Sequence, residues 1–270
     1  MRVSLFILFS ISINLLNGQS YLGKDSLERN PRVYFNVGGY FPRVSTELRV
    51  DGDKVGTDLS LEDDFSFLSE MSVFRAEAII RVKKKSQFLV GFTSLQRGST
   101  FRLDRDINFA DTSFAVDARA DMYFDTYYYA FTWRYSFWNK TNWNAGASLG
   151  VRLVEFRTGI EASANNSGTY EANASVIVPA LLIGIHGGAY LTPRLLARYN
   201  FEFFRLKVAD IDINIVESQF SLSYFITQNI GLGLAYSSNS YIARDIPFDD
   251  FEGRVSFEFG GANLFLTARF

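Results

Sequence analysis

From residue 32 onward, apolar and polar side chains take alternate places, the period-two signature of strands that bury one face. In 251–259, Phe251, Gly253, Val255, Phe257 and Phe259 share one face, and Glu252, Arg254, Ser256 and Glu258 the other. In 230–237, Ile230, Leu232, Leu234 and Tyr236 alternate with Gly231, Gly233, Ala235 and Ser237. In 143–153, Trp143, Leu149, Val151 and Leu153 oppose Asn144, Gly146, Ser148, Gly150 and Arg152. A stripe of rings, Tyr127, Tyr129, Phe131, Trp133, Tyr135 and Phe137, stands opposite Ala130, Thr132 and Arg134. A soluble sandwich also alternates, so the nature of the apolar face decides. A sandwich core about 10 Å thick cannot take a large aromatic face from every strand. Rings suit lipid and its interfaces, and small or polar residues suit the inside of a narrow barrel. Strand edges cannot stay open in hydrocarbon, so such a sheet closes on itself.

Connection lengths set the topology. Tight turns at 83–86, 138–142, 191–193 and 227–229 alternate with long polar connections at 50–72, 103–112, 159–170, 208–212 and 238–250, the alternation of short periplasmic turns and long outer loops. The strands are then 32–50, 55–82 (interrupted at Asp63-Asp64), 87–108, 112–138, 143–159, 170–191, 194–207, 212–226, 229–242 and 250–270. The fold class is all-β, a closed antiparallel transmembrane β-barrel of about ten strands, with twelve or eight as alternatives. Gly260-Gly261 read as a turn would give eleven; we read it as a bulge within one long final strand. Strands of 20 residues exceed the 9–11 that span a bilayer, so the barrel projects beyond the outer leaflet.

Composition sharpens this picture. The 270 residues are 47% hydrophobic and 16% aromatic, which excludes a disordered chain. A net charge of −2 leaves no basic excess for nucleic acid, and without cysteine there is no disulfide, thiolate metal site or thiol nucleophile. Mean hydropathy is +0.01, as expected where only one face of each strand is apolar. Residues 1–20, with Arg2, an apolar run from Val3 to Leu16, and Gly18 and Ser20, read as a cleaved signal peptide; 21–31 then form a periplasmic N-terminal segment and 32–270 the barrel.

The chain ends Leu264-Phe265-Leu266-Thr267-Ala268-Arg269-Phe270. Leu264, Leu266, Ala268 and Phe270 resemble the C-terminal assembly signal of bacterial outer-membrane β-barrels. The stretch from Gly56 to Phe65, the strand bearing Pro179 and the segment from Gly260 to Leu266 are similar to segments found in a group of such barrels. That resemblance implies a fold, a location in the outer membrane, contact with its lipid and with the barrel-assembly machinery, and other outer-membrane proteins as partners. It implies no substrate.

Candidate chemistry follows from the inferred inward face: Arg75, Glu77, Arg81, Arg134, Arg152, Arg198, Glu202, Glu217, Glu252, Arg254, Glu258 and Arg269. Seven arginines against five glutamates favour a plug of ion pairs over a selective channel, because a pore lines itself with one sign. His186, the only histidine, lies about five residues before a tight turn, away from the rim where surface-acting barrel enzymes work; we expect a lumen histidine with a hydrogen-bond partner and no catalytic residue. Acidic residues crowd the long loops. Among them Asp51, Asp53, Asp63 and Asp64 are the candidates for Ca²⁺ or Mg²⁺, but the remainder of an EF-type loop is missing and a solvated rim is expected, with no cofactor. Lys83-Lys84-Lys85 read as a solvated turn with anionic lipid in reach. The function expected is a structural or partner subunit of an envelope complex. A narrow pore or transporter is the alternative, and an outer-membrane hydrolase or acyl-modifying enzyme the second alternative.

Overall fold

In the computed structural model the alternating segments pair in chain order. It describes residues 31–51, 59–102, 107–109, 112–114, 119–163, 169–208, 211–248 and 251–270; the signal peptide and Asp53 lie outside them. The strands are β1 (Val33–Asp51), β2 (Leu59–Ser60), β3 (Val73–Lys83), β4 (Ser86–Arg102), β5 (Ile107–Phe109), β6 (Thr112–Phe114), β7 (Arg119–Asn139), β8 (Trp143–Ser163), β9 (Thr169–Thr192), β10 (Leu195–Val208), β11 (Ile211–Phe225), β12 (Ile230–Phe248) and β13 (Phe251–Arg269). Ten of them form a ring in the order β1, β3, β4, β7 to β13, and antiparallel pairing of β13 with β1 closes it. That closing ladder runs unbroken from Tyr34↔Arg269 to Asp51↔Glu252, so the ring of strands is closed. The short turns 84–85, 140–142, 193–194 and 226–229 share one end with Arg32 and Phe270, called here the turn end. β5 and β6 form a separate hairpin in the connection between β4 and β7.

The expected ten strands are present; β12 runs on to Phe248, through most of the connection expected at 238–250, and the second strand departs further. The segment 55–82 is not one interrupted strand. The chain makes the two-residue β2, turns at 61–65 and enters the barrel only at Val73. Pro42 explains where β3 stops. The β1–β3 ladder ends at Tyr40↔Val73, and Pro42 next along has no N–H to continue it; its carbonyl accepts from Met71 N–H at 3.4 Å instead. The wall beyond is patched by 59–72, whose Leu61, Phe65 and Phe67 are buried.

Gly260-Gly261 is neither turn nor bulge. Both residues keep continuous register with β1, as Gly260↔Arg43 and Gly261↔Pro42, and with β12, as Ser238↔Gly260 and Ser237↔Gly261. The need for glycine is steric. A Cβ at Gly261 would stand 2.0 Å from the Phe41 carbonyl oxygen, so the close approach of β13 to β1 excludes any side chain there.

The two faces divide as expected in the half of the barrel nearer the turns. Phe131, Trp133, Leu149, Leu153, Leu232, Leu234 and Leu266 point outward and are exposed, whereas Thr132, Arg134, Ser148, Arg152, Ser221, Ser223 and Thr267 are buried inside. This apolar belt covers 127–137 of β7 and 143–153 of β8, the 9–11 residues that cross a bilayer. It ends on one level, since Tyr127 pairs with Ser94 on one side and Glu155 on the other.

Above that level the faces exchange character. The outward positions become Arg43, Gln96, Arg157, Arg205 and Glu258, while Phe124, Val154, Tyr241, Phe257 and Phe259 fill the interior. The sequence pattern predicts a lipid-facing stripe from Phe251 to Phe259, with Arg254 and Glu258 in the lumen. Phe257 and Phe259 instead lie inside, and Arg254 and Glu258 are exposed outside. Beyond the belt the surrounding solvent is water, so the apolar side of each strand turns inward.

Candidate functional site

The lumen holds the concentrated chemistry of the chain, and it is stacked in layers. At the middle stands Arg152 of β8. Its Nε donates to Glu217 Oε2 at 3.0 Å, its Nη2 to the same oxygen at 2.8 Å and to Glu202, and its Nη1 to Thr132 Oγ1 at 2.9 Å. Tyr128 donates to Glu217 Oε1 at 2.8 Å, and Tyr241 donates to the same carboxylate. Glycine makes this fit possible at Gly150, where a Cβ would stand 2.7 Å from Arg152 Nη1. Removing ions from water is unfavourable unless each finds partners, and one guanidinium serves two carboxylates here. Arg75 of β3 donates to Gln219 Oε1 at 3.0 Å and Ser237 Oγ at 3.2 Å, and Glu77 accepts from Asn36 Nδ2 at 3.2 Å.

On the loop side of this network lies an aromatic layer. The Tyr241 and Phe259 rings stack 5.9 Å apart, Phe257 and Phe259 lie 5.2 Å apart, and Tyr128 meets Tyr241 edge-on at 6.4 Å. Above it, Arg97 pairs with Glu62 at 2.5 Å and donates to Thr46 Oγ1 at 2.7 Å, with its guanidinium 5.6 Å from the Phe67 ring and 5.4 Å from Phe124. The connection 59–72 thus lends Glu62 and Phe67 to the lumen.

Opposite walls touch at two levels. Four strands separate β1 from β9 in either direction round the ring, and four separate β7 from β12. Yet the Tyr34 and Tyr190 hydroxyls are 2.8 Å apart, and Tyr128 reaches Tyr241. Arg269, at the turn end, donates to Tyr190 Oη at 2.8 Å and to the Gln228 carbonyl at 2.7 Å, with its guanidinium 3.8 Å from the Phe225 ring.

Of the twelve residues assigned to the lumen from sequence, six arginines (75, 81, 134, 152, 198 and 269) and three glutamates (77, 202 and 217) are buried or half-buried on the inward face. Arg254 and Glu258 lie outside the barrel, and nothing is described of the Glu252 side chain. The near balance of signs that favoured a plug therefore does not hold among the described residues. Leu264, Leu266 and Phe270 are exposed on the outer face and Ala268 is half-exposed.

His186 is buried, with Nε2 3.2 Å from Ser136 Oγ. Among the described residues no side chain is hydrogen-bonded to Nδ1, where a nucleophile–base pair would carry its third, orienting group. Asp63 and Asp64 belong to a capped turn. Ser60 Oγ accepts from Asp63 N–H at 3.1 Å, and Asp64 Oδ2 accepts from Ser60 N–H at 2.8 Å, reciprocal capping that occupies the carboxylate. The Asp51 side chain is outside the described residues, and among the described ones no three acidic or histidine groups gather as a metal site.

Sequence reading missed Arg97, Tyr128, Tyr241 and the reach of Glu62. The parity was available: Leu89, Gly91, Thr93, Leu95 and Arg97 alternate along β4, as Tyr128 does with Thr132 and Arg134 on β7.

No protein-family model matches the chain, and no curated protein matches it. Solved structures do. The outer membrane protease OmpT of Escherichia coli superposes with a TM-score of 0.58 at 10% identity, over 88% of this chain and 97% of that one. Ail, the attachment invasion locus protein of Yersinia pestis, gives 0.34 at 10% identity over 87% and 99%. OprG of Pseudomonas aeruginosa gives 0.33 at 9% over 89% and 97%. The chain has the fold of a bacterial outer-membrane β-barrel. At such identities the likeness extends to the fold alone.

Proposed function

We propose that this chain is an integral, non-enzymatic barrel of the outer membrane whose lumen is plugged by its own side chains, and that it serves as a structural or partner subunit of an envelope complex. The observation that supports a plug best is the contact between opposite walls. Tyr34–Tyr190 and Tyr128–Tyr241 each join strands half a ring apart, with the Arg152–Glu202–Glu217 network between them. Small barrels are generally filled this way. The excess of buried arginine over glutamate favours the alternative, an anion-preferring narrow pore, and one measurement separates the two. Purified protein in planar bilayers is expected to give no steady conductance at neutral pH, and a reproducible unitary current would overturn the plug. The second alternative, a hydrolase or acyl-modifying enzyme, rests on the Ser136–His186 contact. It requires that His186→Ala change envelope lipid or peptide turnover, where we expect no change.

A further inference from the structure

The lumen opens at the turn end into a vestibule. Arg81, Arg134 and Arg198 reach it from β3, β7 and β10, beside His186. Arg32 and the turn lysines Lys84, Lys85 and Lys140 stand around its mouth. No aspartate or glutamate is among the described residues that line it. Glu77 and Glu202 border the next space up, which Arg134 also touches.

Cations gathered round one space repel one another, and an anion entering it relieves that repulsion. Arg134 makes the demand specific. It is only 4% exposed, and among the described residues its Nε has no hydrogen-bond partner. A buried guanidinium with a donor unmet is among the costliest groups a protein can hold. His186 Nδ1, in the same wall, likewise has no side-chain partner among the described residues. Neither group is used by the ion pairs of the central network.

We propose that this vestibule is a binding site for phosphoryl groups. Donors line it from three strands and two turns, a spread that a polyvalent tetrahedral oxyanion can meet at more points than a flat monovalent carboxylate. Guanidinium forks match phosphate oxygens in pairs, while the turn lysines act as point charges that draw the anion in. The phosphoryl group belongs either to a soluble phosphate compound or to a lipid headgroup, since the belt beside this end is where headgroups would lie.

The test uses the full-length protein in micelles of a neutral detergent, titrated calorimetrically with inorganic pyrophosphate, with acetate, and with dihexanoyl phosphatidic acid. We expect pyrophosphate to bind more tightly than acetate, and Arg134→Gln to weaken it about tenfold, one charge-assisted hydrogen-bonded contact. Lys84→Gln with Lys140→Gln changes only exposed turn side chains, so the lumen stays folded, and it should weaken binding less. If phosphatidic acid binds and Arg134→Gln weakens it equally, the source is lipid; if pyrophosphate alone binds, the source is soluble. Pyrophosphate held no tighter than acetate, or an affinity that neither variant changes, overturns the proposal. So does phosphatidic acid binding that is indifferent to Arg134, which would place the lipid on the outer belt. These outcomes do not depend on whether the lumen conducts.

Discussion

Two halves of one barrel use the same alternation with opposite sign. On β8, Leu149, Val151 and Leu153 face outward and Ser148, Gly150 and Arg152 inward, but two residues on, Glu155 and Arg157 are the outward pair and Val154 and Phe156 the inward one. β13 repeats the change. Leu264 and Leu266 look out near the turn end, whereas Phe257 and Phe259 look in near the loops. The strand does not twist out of register to achieve this; its β7–β8 ladder runs unbroken through the change, from Ser136↔Gly146 to Arg119↔Ser163. What changes is the medium. A strand in hydrocarbon hides its polar face, and the same strand in water hides its apolar one. The lower half is therefore a barrel with a polar core and the upper half a barrel with an oily one, joined where Glu217 meets Tyr128 and Tyr241.

The largest test of this contrast falls on the polar core. Arg152→Ala leaves Glu202 and Glu217 buried and facing each other without a cation, and should cost about 3–5 kcal/mol in denaturant unfolding of the folded barrel. A loss no larger than that of an exposed pair would mean the network is hydrated. The oily core comes next. Phe257→Ala opens a cavity in the aromatic layer and is expected to cost about 3 kcal/mol, whereas Phe131→Ala, on the lipid side of the belt, leaves a gap that acyl chains fill and should cost clearly less. Equal losses would abolish the distinction between the halves. The smallest effect sharpens the boundary itself. Leu149→Arg places a charge in the belt and should cost about 2 kcal/mol in bilayers, while Ser240→Arg, outward on β12 above the belt, should leave the unfolding midpoint where it was. A penalty at Ser240 would move the boundary toward the loops.

The strand number, the tight turns and the apolar belt were legible because each rests on a local signal: period two along 127–137, 143–153 and 230–237, and turn residues such as Asn139 to Asn142 between them. The inversion above the belt was not. Alternation shows that Phe257 and Glu258 lie on opposite faces but carries no information on which face meets lipid, and residues 254–259 were given the sign that holds for the belt. The early end of β3 was hidden for another reason. Residues 55–82 read as one strand interrupted only at Asp63-Asp64, and it is the register opposite Pro42 that ends the ladder at Val73. Among the lumen residues, most of those with charge were legible, though not Arg97 or Glu62, and those with rings were not, because a Tyr such as Tyr128 resembles its outward neighbours Tyr127 and Tyr129 in every respect except parity.

The Tyr34–Tyr190 contact carries a mechanical consequence. A hoop of strands held only along its circumference resists stretching but ovalises easily under lateral pressure. A strut fixed across its diameter, backed by Arg269 gripping Tyr190 and by Arg198 lying 4.0 Å from the Tyr34 ring, turns the hoop into a braced frame. Squeezing such a frame must deform side chains as well as slide strands, so the wall keeps its cross-section as its surroundings press on it.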